Sequence, residues 1–171
     1  MILNQEQIRA LIQEKQLISN FIHLETQLTP NGFDLTVAKI SYFSNQGALD
    51  FSNKERVLAD YKEVSLTKDD PKHPYGWWIL KPGIYKVLTN EIVSLPCDLV
   101  AVACPRSSLL RMGAFTVTAV WDAGFSGKSE FVLVVGNPQG LRIKQNARIT
   151  QLIFIPVKET KAYEGIYKNL V

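Results

Sequence analysis

The chain has 171 residues, 20% of them charged and 46% hydrophobic, and a formal net charge of +3. That length suits one domain with a real core, and the composition is ordinary for a soluble globular protein. The positive charge is small and dispersed, so a nucleic-acid polymer is not an expected partner, whereas a small anionic ligand is compatible with it.

The amino terminus predicts a helix within residues 1–17. Asn4 caps it with Gln7 three residues on, and Ile8, Leu11 and Ile12 recur at helical spacing. Asn4, Gln5, Glu6 and Gln7 break any early apolar run, so no signal peptide is read there. No stretch reaches membrane-spanning length, and the cytoplasm is the expected compartment.

From about Leu28 the pattern turns to β: short apolar runs alternate with Asn31-Gly32, Pro82-Gly83, Asn137-Pro138 and Gln139-Gly140. Strands are expected at Leu35 to Ile40, Ile84 to Leu88, Leu99 to Cys104, Phe131 to Val135 and Ile149 to Val157. The segment from Asn45 to Tyr75 is polar and reads as a hairpin with a long exposed excursion. Trp77 and Trp78 face opposite sides of a strand, one to the core and one to an interface or cleft. Cys97 and Cys104 are too few for a disulfide framework, and their apolar surroundings predict buried, reduced thiols. Only His23 and His73 offer imidazole, and no Cys or His has metal-ligand spacing, which disfavours zinc. Phe131 to Val135 is apolar on both faces, so neither side is expected in water. In a chain this small that predicts a closed barrel or jelly roll with another subunit packed outside.

The stretch Pro105-Arg106-Ser107-Ser108-Leu109-Leu110-Arg111-Met112-Gly113 concentrates two hydroxyls and two guanidinium groups. A helix starting here would either cradle an anion, with Arg106 or Arg111 pairing to a phosphate, or be a plain capped helix with surface arginines.

Pro105 to Leu109 resembles the second motif of the dUTPase and dCTP deaminase superfamily. Three further segments match in order: Asn31-Gly32-Phe33-Asp34-Leu35, Ala119 to Gly127 with Trp121-Asp122-Ala123-Gly124-Phe125 at its centre, and Ala147-Arg148-Ile149-Thr150-Gln151-Leu152. The Trp-Asp-Ala-Gly-Phe run is most similar to archaeal-type dUTPases, and the opening helix and Tyr163 to Tyr167 resemble the deaminase branch. The resemblance implies a mainly β, jelly-roll or distorted-barrel domain over residues 1–171, with a tail over 158–171. It implies a homotrimer with sites between subunits, Mg2+ as cofactor, and hydrolysis of dUTP to dUMP and pyrophosphate. Asp122 would activate the attacking water. Arg106, Ser107, Ser108, Arg111 and Gln151 would bind substrate, with Gly124, Phe125 and Gly127 shaping the nucleoside pocket. Asp34 would hold magnesium through water. Phe125 and Gln151 also fit plain structural roles, and Asp34 also fits hydrogen bonding of its turn.

The resemblance leaves two alternatives. Deamination of dCTP would need a glutamate where ungapped alignment puts Val132; Glu130 lies two residues earlier on the same strand face and is the candidate proton shuttle, with Ser107 and Arg111. A non-catalytic trimer that binds nucleotide and regulates a partner is the third reading.

Overall fold

The structure is a computed structural model that describes residues 1–168; residues 169–171, the end of the expected tail, lie outside the described residues. Helix α1 spans Gln5–Lys15. Asn4 Oδ1 accepts from the Gln7 amide and Gln7 Oε1 accepts from the Asn4 amide, each at 3.0 Å, which completes the capping box. Ile8 and Ile12 are buried beneath it, so one stripe of the helix docks on the sheet. Then follow β1 (Ile18–Ser19), α2 (Leu24–Gln27), β2 (Leu28–Thr29), β3 (Gly32–Phe43), β4 (Tyr61–Glu63), β5 (Trp77–Leu80), β6 (Gly83–Ser94) and β7 (Leu99–Pro105). Helix α3 (Ser107–Arg111) leads to β8 (Ala114–Val117), β9 (Ser126–Val135), β10 (Leu141–Lys144) and β11 (Arg148–Pro156).

The main sheet runs β7-β11-β3-β6-β9-β8, with β1 beside β6 and β2 and β4 beside β3; β5 and β10 form a separate pair. Its two ends come back together. Trp121, just past β8, exchanges both backbone hydrogen bonds with Ala101 of β7, at 2.9 and 3.0 Å. Thr116 of β8 also donates across the interior to Thr150 of β11 at 3.2 Å. The molecule is therefore mainly β, a nearly closed barrel with few helices. Phe33, Leu35, Val37, Ile40, Leu133, Leu152 and Phe154 fill its interior at 0% exposure. Each such side chain contributes roughly 1.5–3 kcal/mol of burial.

Strand β9 behaves as its double apolar pattern demands. Phe131, Leu133 and Val135 enter the core, while Val132 and Val134 stay half-buried outside. Phe115 and Val117 of β8 and Ile84 of β6 pair beside them and are 41%, 53% and 58% exposed. An apolar patch of this kind on a sheet face marks a contact surface.

The excursion after β3 is largely exposed and irregular, touching back through β4 and the bridge Ala48 to Val57. Trp78 is the core member of the tryptophan pair and donates to the Val64 carbonyl at 3.0 Å. Trp77 is half-buried under the cations of Arg142 and Lys144, at 4.8 and 5.4 Å from its ring centroid. Both cysteines are free, as expected, but their burial departs from expectation: Cys97 is half-buried and Cys104 is exposed. Leu99 and Ala101 take the inward positions of β7, and Cys104 falls on the alternate register near the strand end. Apolar neighbours in sequence do not decide which side of a strand a residue faces. Among the described residues no helix is long and apolar enough to cross a membrane.

Candidate active site

Two groups of expected site residues form in two places. The first is built where β3 begins. A Cβ at Gly32 would run into the Leu152 carbonyl and the Gln151 side chain, so glycine here lets β11 close on β3. That pairing sets Gln151 between Asp34 on one side and Cys104 on the other. Asp34 is 1% exposed, and its Oδ2 holds Arg106 Nε at 3.0 Å and Arg148 Nη1 at 3.2 Å. Burial pushes the Asp34 carboxyl above its ordinary range, and the two guanidinium groups pull it part of the way back.

Arg106 precedes α3, and its amide donates to the Ile149 carbonyl at 3.0 Å, which joins the second motif to the fourth. Ser107, Ser108 and Arg111 lie exposed on α3. Gln151 Nε2 donates to Thr29 Oγ1 at 2.6 Å, so its amide is already oriented. This cluster is a set of cations and hydroxyls around one buried anion, an arrangement suited to an anionic ligand.

The residue expected to hold magnesium through water has another occupation in this chain. Asp34 Oδ1 is buried without a hydrogen-bond partner, Oδ2 is taken by arginines, and a cation beside it would face both guanidinium groups. With its charge already shared by two guanidinium groups, Asp34 does not fit a resident magnesium ion. Among the described residues no group of three or more His, Cys, Asp or Glu side chains converges on a metal position.

The second group lies at the turn into β9. Phe125 N donates to the Asp122 carbonyl at 3.0 Å, Gly124 takes φ +77°, and Leu95 N donates to the Phe125 carbonyl at 2.8 Å. Gly124 is required twice, because a Cβ there would also lie 2.6 Å from Ala162 of the tail. The tail is pinned along this turn: Val157 N donates to the Asp98 carbonyl, Thr160 N to Cys97 and Tyr163 N to Ala123. Tyr163 packs on Phe125 with ring centroids 5.8 Å apart. Together they border a cavity of about 440 Å3 lined by Trp121, Asp122, Phe125, Glu130, Val132 and Tyr163, with Lys86 and Tyr167 at its wall. Asp122 is exposed at the edge, whereas Phe125 is 9% exposed and also packs in the core. Gly127 is buried and pairs with Val93. Glu130 and Val132 share the cavity-facing side of β9, and Glu130 Oε1 pairs with Lys86 Nζ at 2.5 Å.

The structure thus gathers Asp122, Gly124, Phe125, Gly127 and Glu130 at one place, and Asp34, Arg106, Gln151 and the α3 residues at another. None of the second set lines the cavity.

Three residues of consequence were not singled out in the sequence. Arg148 stands inside the fourth motif, but its importance rests on meeting Asp34. Lys86 carries no local signal. Glu91 does: Val87, Thr89, Glu91 and Val93 alternate into the core, so period two alone places a carboxylate inside. It accepts from Thr36 N at 3.0 Å, Thr36 Oγ1 at 2.5 Å and Gln27 Nε2 at 2.7 Å. Burial raises its carboxyl above the ordinary range, and these hydrogen bonds oppose the rise.

A family model described as dCTP deaminase-like matches residues 2–157. The chain belongs to the dCTP deaminase-like family. Within it, the chain is 46% identical over 171 residues to a Methanosarcina mazei protein named "Probable deoxyuridine 5'-triphosphate nucleotidohydrolase", covering 98% of this chain and 96% of that one. It is 39% identical over 146 residues to the deoxyuridine 5'-triphosphate nucleotidohydrolase of Methanocaldococcus jannaschii, covering 85% and 89% of the two chains. Among solved structures it resembles the 2'-deoxycytidine 5'-triphosphate deaminase of Agrobacterium tumefaciens, with a TM-score of 0.62 and 22% identity. That match covers 90% of this chain and 47% of the deaminase chain, so this chain spans about half its length, and the likeness shows the fold.

Proposed function

We propose that this protein hydrolyses dUTP to dUMP and pyrophosphate, working over residues 1–171 as one domain in a homotrimer whose sites lie between subunits. The observation that carries the reading is the cavity in which Asp122 and Phe125 meet beside a glycine turn. The named activity of relatives that match nearly the whole chain supports it.

In this reading the pyrimidine enters the cavity and the deoxyribose rests on Phe125. Phe125 leaves a 2′-hydroxyl neither room nor a partner. Asp122 orients a water and takes its proton as the oxygen attacks the α-phosphorus. The bond from that phosphorus to the bridging oxygen breaks, and pyrophosphate leaves with the electron pair. A carboxylate suffices, because phosphoryl transfer depends more on position and charge neutralisation than on a strong base. Arg106, Arg148 and Gln151, with Ser107, Ser108 and Arg111, receive the phosphates. Magnesium carried by the triphosphate would lessen its charge, and no residue of this chain is assigned to hold it.

Two observations support assembly. The phosphate cluster and the nucleoside cavity share no lining residue, which suits a site completed by a second copy. The outer face of β8 and β9 also offers the apolar surface for it. Glu130 at the cavity wall is the observation that favours deamination; its ion pair with Lys86 and the valine at position 132 oppose it.

The test is to supply dUTP or dCTP with magnesium and resolve the products, with light scattering on the same sample. The reading expects dUMP and pyrophosphate from dUTP, and a trimer. Release of dUTP or dUMP from dCTP would assign the deaminase reaction, absence of any product would leave only binding, and a monomer would defeat the shared site.

A further inference from the structure

A carboxylate with no part in the hydrolysis just described lies inside the barrel, behind the Asp34 cluster. Glu91 is 0% exposed and sits just past the end of the β3–β6 ladder, where Val37 stands opposite Thr89. There the Thr36 amide donates to Glu91 Oε2 at 3.0 Å, while Thr36 Oγ1 and Gln27 Nε2 converge on Oε1 at 2.5 and 2.7 Å. Gln27, itself 1% exposed, passes the constraint on. Its Nε2 also donates to the Asp34 carbonyl at 2.9 Å, and its Oε1 accepts from the Ile22 and His23 amides at 2.7 and 3.0 Å. One residue earlier on α2, the Thr26 carbonyl accepts from Arg148 Nη1, the same group that reaches Asp34 Oδ2. The backbone on both sides of Leu35 is thus referred to one carboxylate, Asp34 through Gln27 and Thr36 directly. The Arg148 guanidinium is held by the helix that Gln27 anchors.

We infer that Glu91 is a positioning residue for the phosphate cluster, fixing Asp34 and Arg148 from behind without touching the ligand. The inference rests on the proposed role of that cluster in receiving the phosphates of dUTP. Three donors meet at this place, so it demands a side chain that only accepts. Glutamine at 91 would turn one of the two oxygen positions into an amide NH2 facing either the Thr36 amide or Gln27 Nε2. Gln27 cannot flip to relieve this, since its oxygen is committed to Ile22 and His23. A flip would set its NH2 against those two amides and its oxygen against the Asp34 carbonyl. Two donors forced together in a buried place are costly, and they part by moving α2 or the start of β3. Either movement shifts Asp34 against Arg148. Neither Glu91 nor Gln27 lines the cavity at Phe125, so the nucleoside keeps its place.

The experiment measures the affinities of a non-hydrolysable dUTP analogue and of dUMP by calorimetry, with magnesium present. The proteins are the wild type, Glu91→Gln, Gln27→Met and the double variant, each also followed by thermal melting. The quantity read is the ratio of the two affinities, which isolates the outer phosphates from the nucleoside. The expected result is a ratio lowered by about tenfold in each single variant, with dUMP affinity near wild type. The double variant should lose no more than either single one, because both cut the same path. An unchanged ratio in variants that still melt cooperatively would overturn the inference. Parallel loss of both nucleotides would do so too, since that is what a purely structural carboxylate gives, and so would full additivity in the double variant. Where Glu91→Gln does not fold, Gln27→Met decides, because it cuts the link to Asp34 and leaves Glu91 its Thr36 contacts. Failure of both to fold would make the network structural and overturn the inference as well. A wild type that binds the analogue no better than dUMP would instead sink the phosphate-cluster reading, a result distinct from a ratio the variants leave unchanged.

Discussion

The Asp34 cluster and the Phe125 cavity are built by opposite means. Around Asp34 the site is polar and enclosed: one buried carboxylate gathers two arginines from chain positions far apart. Around Phe125 it is aromatic and partly made of the tail, with Tyr163 stacked on a turn that only glycine at 124 permits. The first depends on one buried carboxylate shared by two part-exposed arginines, the second on shape and on a segment held by a few backbone hydrogen bonds. They should therefore fail differently, the first through stability and phosphate affinity, the second through the order of the tail.

The largest expected effect lies at Asp122, the exposed carboxylate of the cavity. Asp122→Asn keeps the shape and removes the base, so kcat should fall by about a hundredfold to ten-thousandfold. Binding of dUMP, measured by calorimetry, should stay near wild type. Turnover close to wild type would remove Asp122 from the chemistry and leave the cavity a binding pocket.

Next comes the clamp. Asp34→Ala leaves Arg106 and Arg148 without their shared partner, and breaking such a pair costs about 3 kcal/mol. The lower end of the usual range applies because both arginines are about one-third exposed and can turn to water. Denaturant unfolding measures this, and the affinity for a non-hydrolysable dUTP analogue should weaken with it. If affinity falls only in the presence of magnesium while stability is unmoved, Asp34 serves the metal after all.

How much of this contrast could be read in advance follows from how far apart the partners are. The helix at the amino terminus was legible because its cap and apolar stripe are local, and the strands because alternation is local. Glu91 was legible in principle by the same rule. The Asp34 clamp joins residues in the first, second and fourth motifs, and nothing within any one of them announces an ion pair. Lys86 meets Glu130, 44 residues further along, across two strands that are not consecutive in the chain, so no local pattern announces the pair. Cys104 shows the same limit on a smaller scale: the apolar run was read correctly, and the side it faces was not.

The tail offers a gentler cut. Gly124→Ala adds a methyl at φ +77° and places it where Ala162 lies. The backbone strain alone costs about 1 kcal/mol. The larger consequence should be local, since the methyl displaces the tail from the Ala123 carbonyl. Limited proteolysis should then cleave near residues 158–163 faster than in the wild type, with the barrel intact. Equal cleavage rates would mean that the tail is held elsewhere.

The smallest effect tests the core beneath both regions. Burial raises the Glu91 carboxyl, while three donors from Thr36 and Gln27 favour its charge. A carboxyl whose folded pKa lies above its unfolded one contributes stability that is complete below the unfolded pKa and is lost as pH rises through the folded value. Asp34 is raised as well, so the pH dependence of the wild type alone mixes the two. Comparing the wild type with Glu91→Gln cancels Asp34, because both proteins keep it. The difference in Tm, wild type minus variant, should be greatest in acid and shrink as pH climbs from the ordinary carboxylate range toward neutrality. For a domain this size each kcal/mol corresponds to about 2–4 °C. A difference that grows with pH would mean that the three donors outweigh burial, and that the core of this barrel holds a charged carboxylate in place.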